Sequence, residues 1–454
     1  MIFNSLEFLF LLLPATLAAF WLAPRSWRMG ILLAASLVFY GQSGNKPLLG
    51  LVLTILVGWL AAFLLHTRWR RPALLVALGF PLGILFLAKY LGFVWVDIPA
   101  LFGLNASLES LPDFIRLGFP AGISFYTFQI LSYDLDVYND RLPPDRDLLC
   151  FATYIAFFPQ LIAGPILRYD QIRDQLKGLR EGLPPDLPRG IKYLSIGLFA
   201  KIMAADLLAA FTKSVTTRLA AGEAVHLADG LFYLLGYTFR IYYDFWAYSL
   251  MAMGLGLLFG LTLPRNFAEP YLSHSPREFW RRWHITLSYW LRDYIYIALG
   301  GNRRFYARNI LIVFVACGIW HGAGFGFILW GAWHGLLVLG YHTIRPAWDR
   351  LPGALAITLT FVLTALAWPL FDLGVDGYGH LLSSLTLEGS PTVSSAKYAF
   401  LGLVALLTFL GREDHWLYNA AQVRFFDQPV VHASLFFCAL LFLDYGQTFI
   451  YFRF

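Results

Sequence analysis

The chain has 454 residues, of which 58% are hydrophobic and only 14% are charged. Soluble domains are about half apolar and about a quarter charged, so this composition argues against a soluble protein and predicts a polytopic helical membrane protein. The formal charge of +6 is expected to reflect basic residues in cytoplasmic loops and in contact with lipid headgroups. No segment indicates nucleic-acid binding.

The first apolar run, residues 5–22, predicts a retained membrane span. No basic segment precedes it, and Pro14 interrupts it, so it does not resemble a cleavable signal. Arginines follow this run at positions 25 and 28, and a second arginine group, at 68, 70 and 71, follows the span predicted over 47–65. Cytoplasmic loops of membrane proteins are enriched in arginine, so the N-terminus is predicted to lie outside.

Further spans are predicted over 29–40, 72–95, 119–138, 191–208, 354–370, 396–410 and 431–450. Residues 148–166 contain helix-breaking proline and glycine, which predicts a re-entrant element. Residues 227–261 exceed one perpendicular span and predict a tilted or broken helix pair lining a cavity. Residues 374–395 and 412–427 are predicted as loops. No separate soluble domain or repeat is evident, so one multi-pass domain is predicted over 1–454.

Residues 277–304 form a basic, tryptophan-rich segment that is poorly suited to cross a bilayer. At about 100° per residue, one helix would have a polar and an aromatic face. The polar face would carry Arg277, Arg281, His284, Ser288 and Arg292, and the aromatic face Phe279, Trp283, Leu287, Trp290 and Tyr294. This predicts a helix in the membrane interface. It would serve as an anchor for anionic lipid or as a cationic mouth for an anionic acyl donor, and the pattern leaves both open.

His321 and His334 interrupt the apolar residues of 309–342, where two helices are predicted with a break near 322–326. His321 precedes the glycine-rich break, and irregular backbone is tolerated at membrane depth where it lines a cavity. A base of near-neutral pKa there could take a proton from an acceptor hydroxyl. His334 would lie about 140° from His321 around an unbroken helix, so packing or cavity lining is expected for it.

No metal-ligand pattern is present in the sequence. His–x–x–x–His and HExxH motifs are missing, which argues against an intramembrane metalloprotease. Cys150, Cys317 and Cys438 lie far apart in apolar runs and are interpreted as buried small hydrophobic residues. Neither a metal nor a resident cofactor is expected.

Several long motifs resemble the membrane-bound O-acyltransferase family, and within it the bacterial branch of alginate O-acetyltransferase membrane subunits. They are GISFYTFQILSYDLDVY (122–138), FFPQLIAGPILRY (157–169), IYYDFWAYSLMAMGLG (241–256), LPRNFAEPY (263–271), REFWRRWHITLSYWLRDYIYIALGGNR (277–303), GIWHG (318–322), LWGAWHG (329–335) and FIYFRF (449–454). The resemblance covers nearly the whole chain. It implies an all-α polytopic fold of about 10–12 transmembrane helices, with re-entrant and interfacial helices around a central tunnel.

The resemblance also implies site roles. His321 stands in the motif whose histidine is catalytic in the family. His284 either orients the donor or relays protons, or is one more polar residue on the solvent face. The donor-binding candidates are Arg277, Arg281, Arg282, Arg292, Asn302 and Arg303. The tunnel-lining candidates are Asp244, Trp280, Trp283, Trp320, Trp333 and His334.

The sequence departs from the family around Asp244. Intramembrane carboxylates suggest function, but Arg240 one turn earlier is the expected ion-pair partner, which would make Asp244 structural. The chain reads DFWAYSLMA where related enzymes commonly read DFSGYSDMA, so Trp246, Ala247 and Leu250 replace a small residue, a glycine and an acid. PLFDLG also follows Trp368 where related chains often read FFRA. These changes do not alter the expected reaction class, but they leave the identity of the acyl acceptor undetermined.

The implied activity is transfer of an acetyl group from a cytoplasmic thioester, such as acetyl-CoA, across the inner membrane of a bacterium. A periplasmic or extracellular acetyltransferase partner is expected to complete O-acetylation of an alginate-like exopolysaccharide or a cell-wall polymer. The rival interpretation is a transporter or lipid flippase, which predicts inverted repeats and charges spread over two matching halves. The charged and aromatic motifs cluster in one half instead.

Overall fold

A computed structural model describes residues 2–112, 121–411, 417, 427–443 and 449. The chain divides into two compact units, one made of Met1–Leu194 with Tyr248–Pro264 and the other of Ser195–Ala247 with Arg265–Phe454. Almost all of the described secondary structure is helical. The single domain predicted over 1–454 stays a prediction.

The helices of the first unit are mostly short and apolar. They are α1 Leu13–Leu22, α2 Arg28–Gly41, α3 Asn45–Leu64, α4 Arg70–Leu85, α5 Ile98–Ala100, α6 Ile123–Tyr138, α7 Leu148–Ala156, α8 Phe158–Leu161 and α9 Tyr169–Gly178, and α10 Leu187–Ala200 follows them. Helices α7 and α8 are separated at Phe157, and every residue from 150 to 167 is buried. The helix break expected within 148–166 is therefore observed in a buried segment, and the re-entrant character of that segment stays a prediction.

The second unit contains the histidines and the basic segment. Its elements are α11 Leu207–Ala220, β1 Val225–His226, α12 Leu227–Leu258, α13 Pro276–Arg282, α14 Ile285–Leu291, α15 Tyr306–His321, α16 Phe325–Trp348, α17 Gly353–Ala365, α18 Pro369–Asp372, α19 Gly374–Ser384, β2 Leu385–Thr386, α20 Ser395–Leu410 and α21 Pro429–Leu441. Strands β1 and β2 pair in parallel, with Val225 opposite Leu385. Helices α10 and α12 contribute residues to both units.

Five helical stretches among the described residues are long and apolar enough to cross a membrane. They are Asn45–Leu64, Arg70–Tyr90, Leu187–Ala220, Phe325–Trp348 and Gly353–Asp372. Four shorter apolar helices accompany them: Phe8–Leu22, Tyr306–His321, Ser395–Leu410 and Pro429–Leu441. The predicted class, an all-α polytopic membrane protein, is confirmed.

Two predicted elements differ from the structure. Helix α12 is one unbroken helix of 32 residues, about 48 Å long, so the broken alternative predicted over 227–261 is wrong, and the tilted alternative stays a prediction. The loop predicted over 374–395 contains α19 and β2. Most of 412–427, the end of 431–450, the start of 119–138 and all of FIYFRF except Phe449 lie outside the described residues.

Helices α15 and α16 form the hairpin that the glycine-rich break predicts, with the break at Gly322–Gly324. Glycine lets the two backbones touch. A Cβ atom on Gly331 would collide with the carbonyl oxygen of Phe314, and one on Gly318 with that of Phe327. Small residues permit this close approach of membrane helices. The hairpin thereby fixes His321 and His334 inside the second unit.

Candidate active site

His321 is the last residue of α15 and is 3% exposed. Aromatic rings surround its imidazole. The ring centroids lie 4.8 Å from Trp320, 5.2 Å from Trp330 and 5.0 Å from Phe371. Because the helix ends here, the imidazole is held at the break in the backbone between α15 and α16.

His284 lies between α13 and α14, at a sharp turn of the chain. Its φ of +43° is in the left-handed region, which costs a residue other than glycine about 1–3 kcal/mol unless neighbours hold it there. Asn266 supplies that support. Its carbonyl accepts the Ile285 N–H at 2.9 Å, and its Oδ1 accepts the Thr286 hydroxyl at 2.6 Å. The LPRNFAEPY motif therefore positions His284.

This turn overturns the helix predicted over 277–294. The chain forms two short helices instead of one, so the predicted polar and aromatic faces do not exist as continuous surfaces. His284 is fully buried rather than on a solvent face. Trp283 and Trp290 are also buried, at 1% and 5% exposed, so they pack inside the protein and not at the lipid interface.

The imidazole rings of His284 and His321 lie close together. The ring centroids of His284 and His321 lie 6.3 Å apart, and the Trp320 ring contacts both. Phe245 packs edge-on against His284 at 4.6 Å. Burial lowers the pKa of His284 to about 3, so its imidazole is neutral at physiological pH. We call His284 and His321 the histidine pair.

His334 lies one layer behind the histidine pair. The Trp330 ring contacts His321 at 5.2 Å and His334 at 4.8 Å. The Nδ1 atom of His334 accepts a hydrogen bond from Trp280 Nε1 at 3.3 Å, and its ring stacks on Phe279. His334 thus packs among aromatic rings, as the sequence predicts.

The tunnel-lining tryptophans fall into two groups. Trp280, Trp283 and Trp320 are buried around the histidines. Trp333 is 36% exposed, and its Nε1 donates to the carbonyl oxygen of Leu363 at 2.9 Å. It therefore lies apart from the tryptophans that surround the histidines, and its tunnel-lining role stays a prediction. The tunnel itself stays a prediction.

Residues 299–305, the basic turn, precede α15. Gly300 and Gly301 have φ values of +101° and +58°, which favour glycine. The buried side chain of Asn309 holds the turn, because its Nδ2 donates to the carbonyl oxygens of residues 299, 301 and 304 at 3.2, 2.9 and 2.7 Å. The sequence analysis missed Asn309. The sequence feature that could have identified it is an amide side chain in the first turn of an apolar helix.

The donor-binding candidates differ in their exposure and in whether they already form ion pairs. Arg277, Arg281, Asn302 and Arg303 are exposed, and the three arginines form no ion pair with any residue that the structure describes. Arg292 holds both carboxylate oxygens of Asp293, at 2.6 and 3.0 Å, and Arg282 pairs with Glu278 at 2.7 Å. Two of the six candidates are therefore already engaged.

The basic turn and His321 lie at opposite ends of α15. Its 16 residues make a helix about 24 Å long, which approaches the roughly 30 Å hydrocarbon thickness of a bilayer. A group bound at the basic turn therefore has to extend along this helix to reach the histidine pair.

Asp244 is paired with Lys201 rather than with Arg240, which corrects the predicted ion pair. Lys201 Nζ lies 2.9 Å from Asp244 Oδ1 and also contacts Asp206 Oδ1. All three side chains are almost completely buried. The π-helical turn Lys201–Asp206 brings the lysine and its first carboxylate together. Among the described residues no group of three or more His, Cys, Asp or Glu side chains could hold a metal ion, and the metal-free site stays a prediction.

The departures from the family pattern are buried in α12. Trp246, Ala247 and Leu250 are at most 4% exposed. The Trp246 ring lines a small cavity with Tyr242, Tyr271 and Leu407 among others. A bulky ring therefore occupies space that a small residue would leave open.

The apolar helices and the two buried imidazoles at a helix break define a multi-pass membrane protein with a candidate active site. Residues 86–368 match the model of MBOAT, the membrane-bound O-acyltransferase family. The chain belongs to this family and is an O-acyltransferase.

Several curated relatives resemble this chain over more than half of its length. The probable alginate O-acetylase AlgI of Pseudomonas putida is 39% identical over 389 residues, 82% of this chain and 77% of the relative. The peptidoglycan O-acetyltransferase of Helicobacter pylori is 32% identical over 413 residues, 82% of this chain and 77% of the relative. The teichoic acid D-alanyltransferase of Bacillus subtilis is 28% identical over 272 residues, 55% of this chain and 68% of the relative.

Proposed function

We propose that this protein transfers an acetyl group from acetyl-CoA, on the cytoplasmic side of a bacterial inner membrane, to a hydroxyl acceptor on the outer side. The observation that carries the proposal is the meeting of His284 and His321 at the end of α15 that is remote from the basic turn. This arrangement separates a cationic donor end from a histidine end by about one helix length.

The donor end suits the phosphates of coenzyme A. Arg277, Arg281 and Arg303 are exposed, and guanidinium groups bind phosphate oxygens in pairs. The thioester would then reach along α15 towards the histidine pair. The arginine groups in the early loops support an N-terminus on the outer side.

The histidine pair can divide the chemistry of acyl transfer. His321 takes the proton of the acceptor hydroxyl as its oxygen attacks the thioester carbonyl carbon. His284 is neutral and can donate its N–H to the oxyanion that develops on that carbonyl. The C–S bond then breaks, the acetyl ester remains on the acceptor, and the coenzyme A thiolate receives the proton from His321.

The class of polymer that we propose as the final acceptor is inferred from the relatives. Their names specify alginate and peptidoglycan O-acetylation and D-alanylation of teichoic acid. By analogy, this chain would serve O-acetylation of an alginate-like exopolysaccharide or a cell-wall polymer, together with a periplasmic or extracellular acetyltransferase partner.

Reconstitution into vesicles tests the proposal. Labelled acetyl-CoA is enclosed inside the vesicles, hydroxyl acceptors are supplied outside, and vesicles whose chain is oriented with the basic turn inwards are selected. We expect coenzyme A release inside and labelled ester outside. Transfer that requires donor and acceptor on the same side would overturn the transmembrane direction. Lipid scrambling without any donor turnover would favour the flippase.

A further inference from the structure

A small cavity in the second unit is lined mainly by aromatic side chains and one carboxylate. Its volume is about 40 Å³, and the side chains of interest in its lining are Tyr242, Tyr243, Trp246, Tyr271 and Glu269. A buried water needs about 10–15 Å³, so the cavity has room for a group of about three atoms other than hydrogen. We call it the Glu269 cavity.

The four aromatic rings of the Glu269 cavity lie against one another. The ring centroid of Tyr242 is 5.1 Å from that of Tyr243, 5.3 Å from that of Tyr271 and 6.3 Å from that of Trp246. Aromatic faces attract a cation that lies within about 6 Å of the ring centroid. A small cation in this cavity would therefore be close to several rings at once.

Glu269 is the only charged residue among the described residues that line the cavity. Its Oε1 atom is shielded from solvent and accepts no hydrogen bond from any residue that the structure describes. An ionised carboxylate only accepts hydrogen bonds, and leaving such an oxygen buried without a donor is costly. The partner that would satisfy Glu269 is therefore a hydrogen-bond donor that carries positive charge.

Three hydroxyl groups close to Glu269 use their protons elsewhere. The Tyr271 hydroxyl donates to the carbonyl oxygen of Thr238 at 2.7 Å. The Thr408 hydroxyl, also in the cavity lining, donates to the carbonyl oxygen of Val404 at 2.8 Å. The Tyr243 hydroxyl lies 3.0 Å from Thr408 Oγ1, and because the threonine proton is already used, Tyr243 is the donor of that bond. These three groups leave the Glu269 carboxylate to a donor from a ligand.

The backbone of Glu269 is strained. Its φ of +50° lies in the left-handed region, and a residue before proline, here Pro270, favours an extended backbone instead. Two hydrogen bonds hold the turn: the Ala268 N–H donates to the Arg282 carbonyl oxygen at 3.0 Å, and the Leu272 N–H to the Glu269 carbonyl oxygen at 3.1 Å. Strained residues of this kind are concentrated at binding and catalytic sites.

The Glu269 cavity lies at the end of α20, beside an exposed apolar face of this helix. Leu407 and Gly411 line the cavity, and α20 ends at Leu410. The large exposed side chains of α20 are Leu403, Leu406, Leu407 and Leu410, which are 51–70% exposed. Such a face on an apolar helix of a membrane protein contacts lipid tails, whereas the ends of spanning helices lie near the headgroups. A lipid on this face would bring its headgroup to the cavity.

We propose that the Glu269 cavity binds the primary ammonium group of an ethanolamine phospholipid, whose acyl chains lie along the exposed leucines of α20. The three N–H donors of the ammonium group satisfy the Glu269 carboxylate, and the four rings surround its charge. The volume of the cavity excludes the larger trimethylammonium group of a choline headgroup. This binding site is independent of the proposed function, since neither the acyl donor nor the acyl acceptor takes part.

Calorimetric titration of short-chain lipids into the full chain in detergent tests the proposal. We expect dihexanoyl phosphatidylethanolamine to bind the wild type at least about tenfold more tightly than dihexanoyl phosphatidylcholine, because the ammonium group gains a charge-assisted hydrogen bond and cation–π contacts. Glu269→Gln, which keeps the size of the side chain, should abolish this preference. Trp246→Ser should weaken it by widening the cavity, and Trp246→Phe should retain part of it.

Two further variants guard against effects of misfolding. Leu407→Trp, at an exposed position of the lining, should reduce binding of the ethanolamine lipid without removing a polar contact. Glu388→Gln, at an exposed glutamate elsewhere in the second unit, is the matched control and should leave the preference unchanged.

The outcomes are distinct. Equal binding of both lipids by the wild type, or an unchanged preference in folded Glu269→Gln and Leu407→Trp, overturns the site and leaves a cavity that holds water only. Glu269-dependent binding of methylammonium without any preference between the two lipids overturns the assignment to a lipid. A Glu269-dependent preference in a protein that turns over no acyl donor supports the site and counts only against the proposed function.

Discussion

His284, in the turn between α13 and α14, and His321, at the end of α15, lie with their imidazole ring centroids 6.3 Å apart inside an aromatic enclosure. Neither position is set by its own helix alone. His284 sits on a left-handed turn held by Asn266, and His321 ends a helix whose partner in the hairpin contacts it through glycine. Each imidazole is thus held in place by its own tertiary contact, which is the kind of preorganisation that favours acyl transfer.

His321→Ala should lower acetyl transfer by at least about 100-fold, because general base catalysis contributes roughly 10²–10⁴-fold. The chain should remain folded, since the imidazole lies at the end of α15 and its loss leaves the glycine contacts between α15 and α16 in place. Coenzyme A release is measured beside the elution profile and thermal midpoint in detergent. Turnover close to that of the wild type in a folded variant would remove His321 from the mechanism.

His334→Ala should reduce turnover less than His321→Ala does. It removes the acceptor of the Trp280 indole hydrogen bond and a ring stacked on Phe279, so the thermal midpoint should fall. Both variants are compared at equal folded fraction. A larger loss of rate in His334→Ala would require the two histidines to exchange roles.

Lys201→Met should destabilise the protein more than Asp244→Asn. The first change leaves the carboxylates of Asp206 and Asp244 buried together, and removing one partner of a buried ion pair costs roughly 3–5 kcal/mol. Asp244→Asn leaves Lys201 paired with Asp206, so the buried pair has no net charge. Thermal midpoints in detergent measure the difference, and restoring stability to Lys201→Met by adding both Asp→Asn changes is the control. Equal losses in the two single variants would contradict the assigned pairing.

Arg281→Gln should raise the dissociation constant for coenzyme A about tenfold or more, because each charge-assisted contact contributes about 1.5–3 kcal/mol. Arg292→Gln should have a smaller effect, since Arg292 already holds the Asp293 carboxylate. Calorimetric titration at low and moderate salt compares both variants with the wild type. Equal affinities in all three proteins, or no binding by the wild type, would leave these arginines as lipid anchors.

Acidification should destabilise the protein partly through His284. Burial lowers the folded-state pKa of His284 to about 3, whereas the unfolded value is about 6.5, so the unfolded chain binds the extra proton between these values. Stability is then complete above pH 6.5 and is lost as the pH falls towards 3. We expect the fall in thermal midpoint from pH 8 to pH 5 to be smaller in His284→Asn than in the wild type, with His321→Asn as the neighbouring control. An identical pH dependence in His284→Asn and wild type would contradict this.

The sequence by itself determined the features that depend on local composition. Apolar runs of spanning length fixed the helical membrane class, and the glycines after His321 predicted the break between α15 and α16. These features are readable because the length of an apolar run and the freedom of glycine are properties of the residues themselves.

Tertiary structure decided which polar residues meet. The helix predicted over 277–294 fails because Asn266, outside that segment, holds His284 in a left-handed turn, and helical periodicity assumes an uninterrupted backbone. Arg240 looked like the partner of Asp244 because it is one turn away, yet Lys201 from a different helix takes that place. A periodic pattern records neighbours along one helix only, whereas buried charges and imidazoles find their partners across helices.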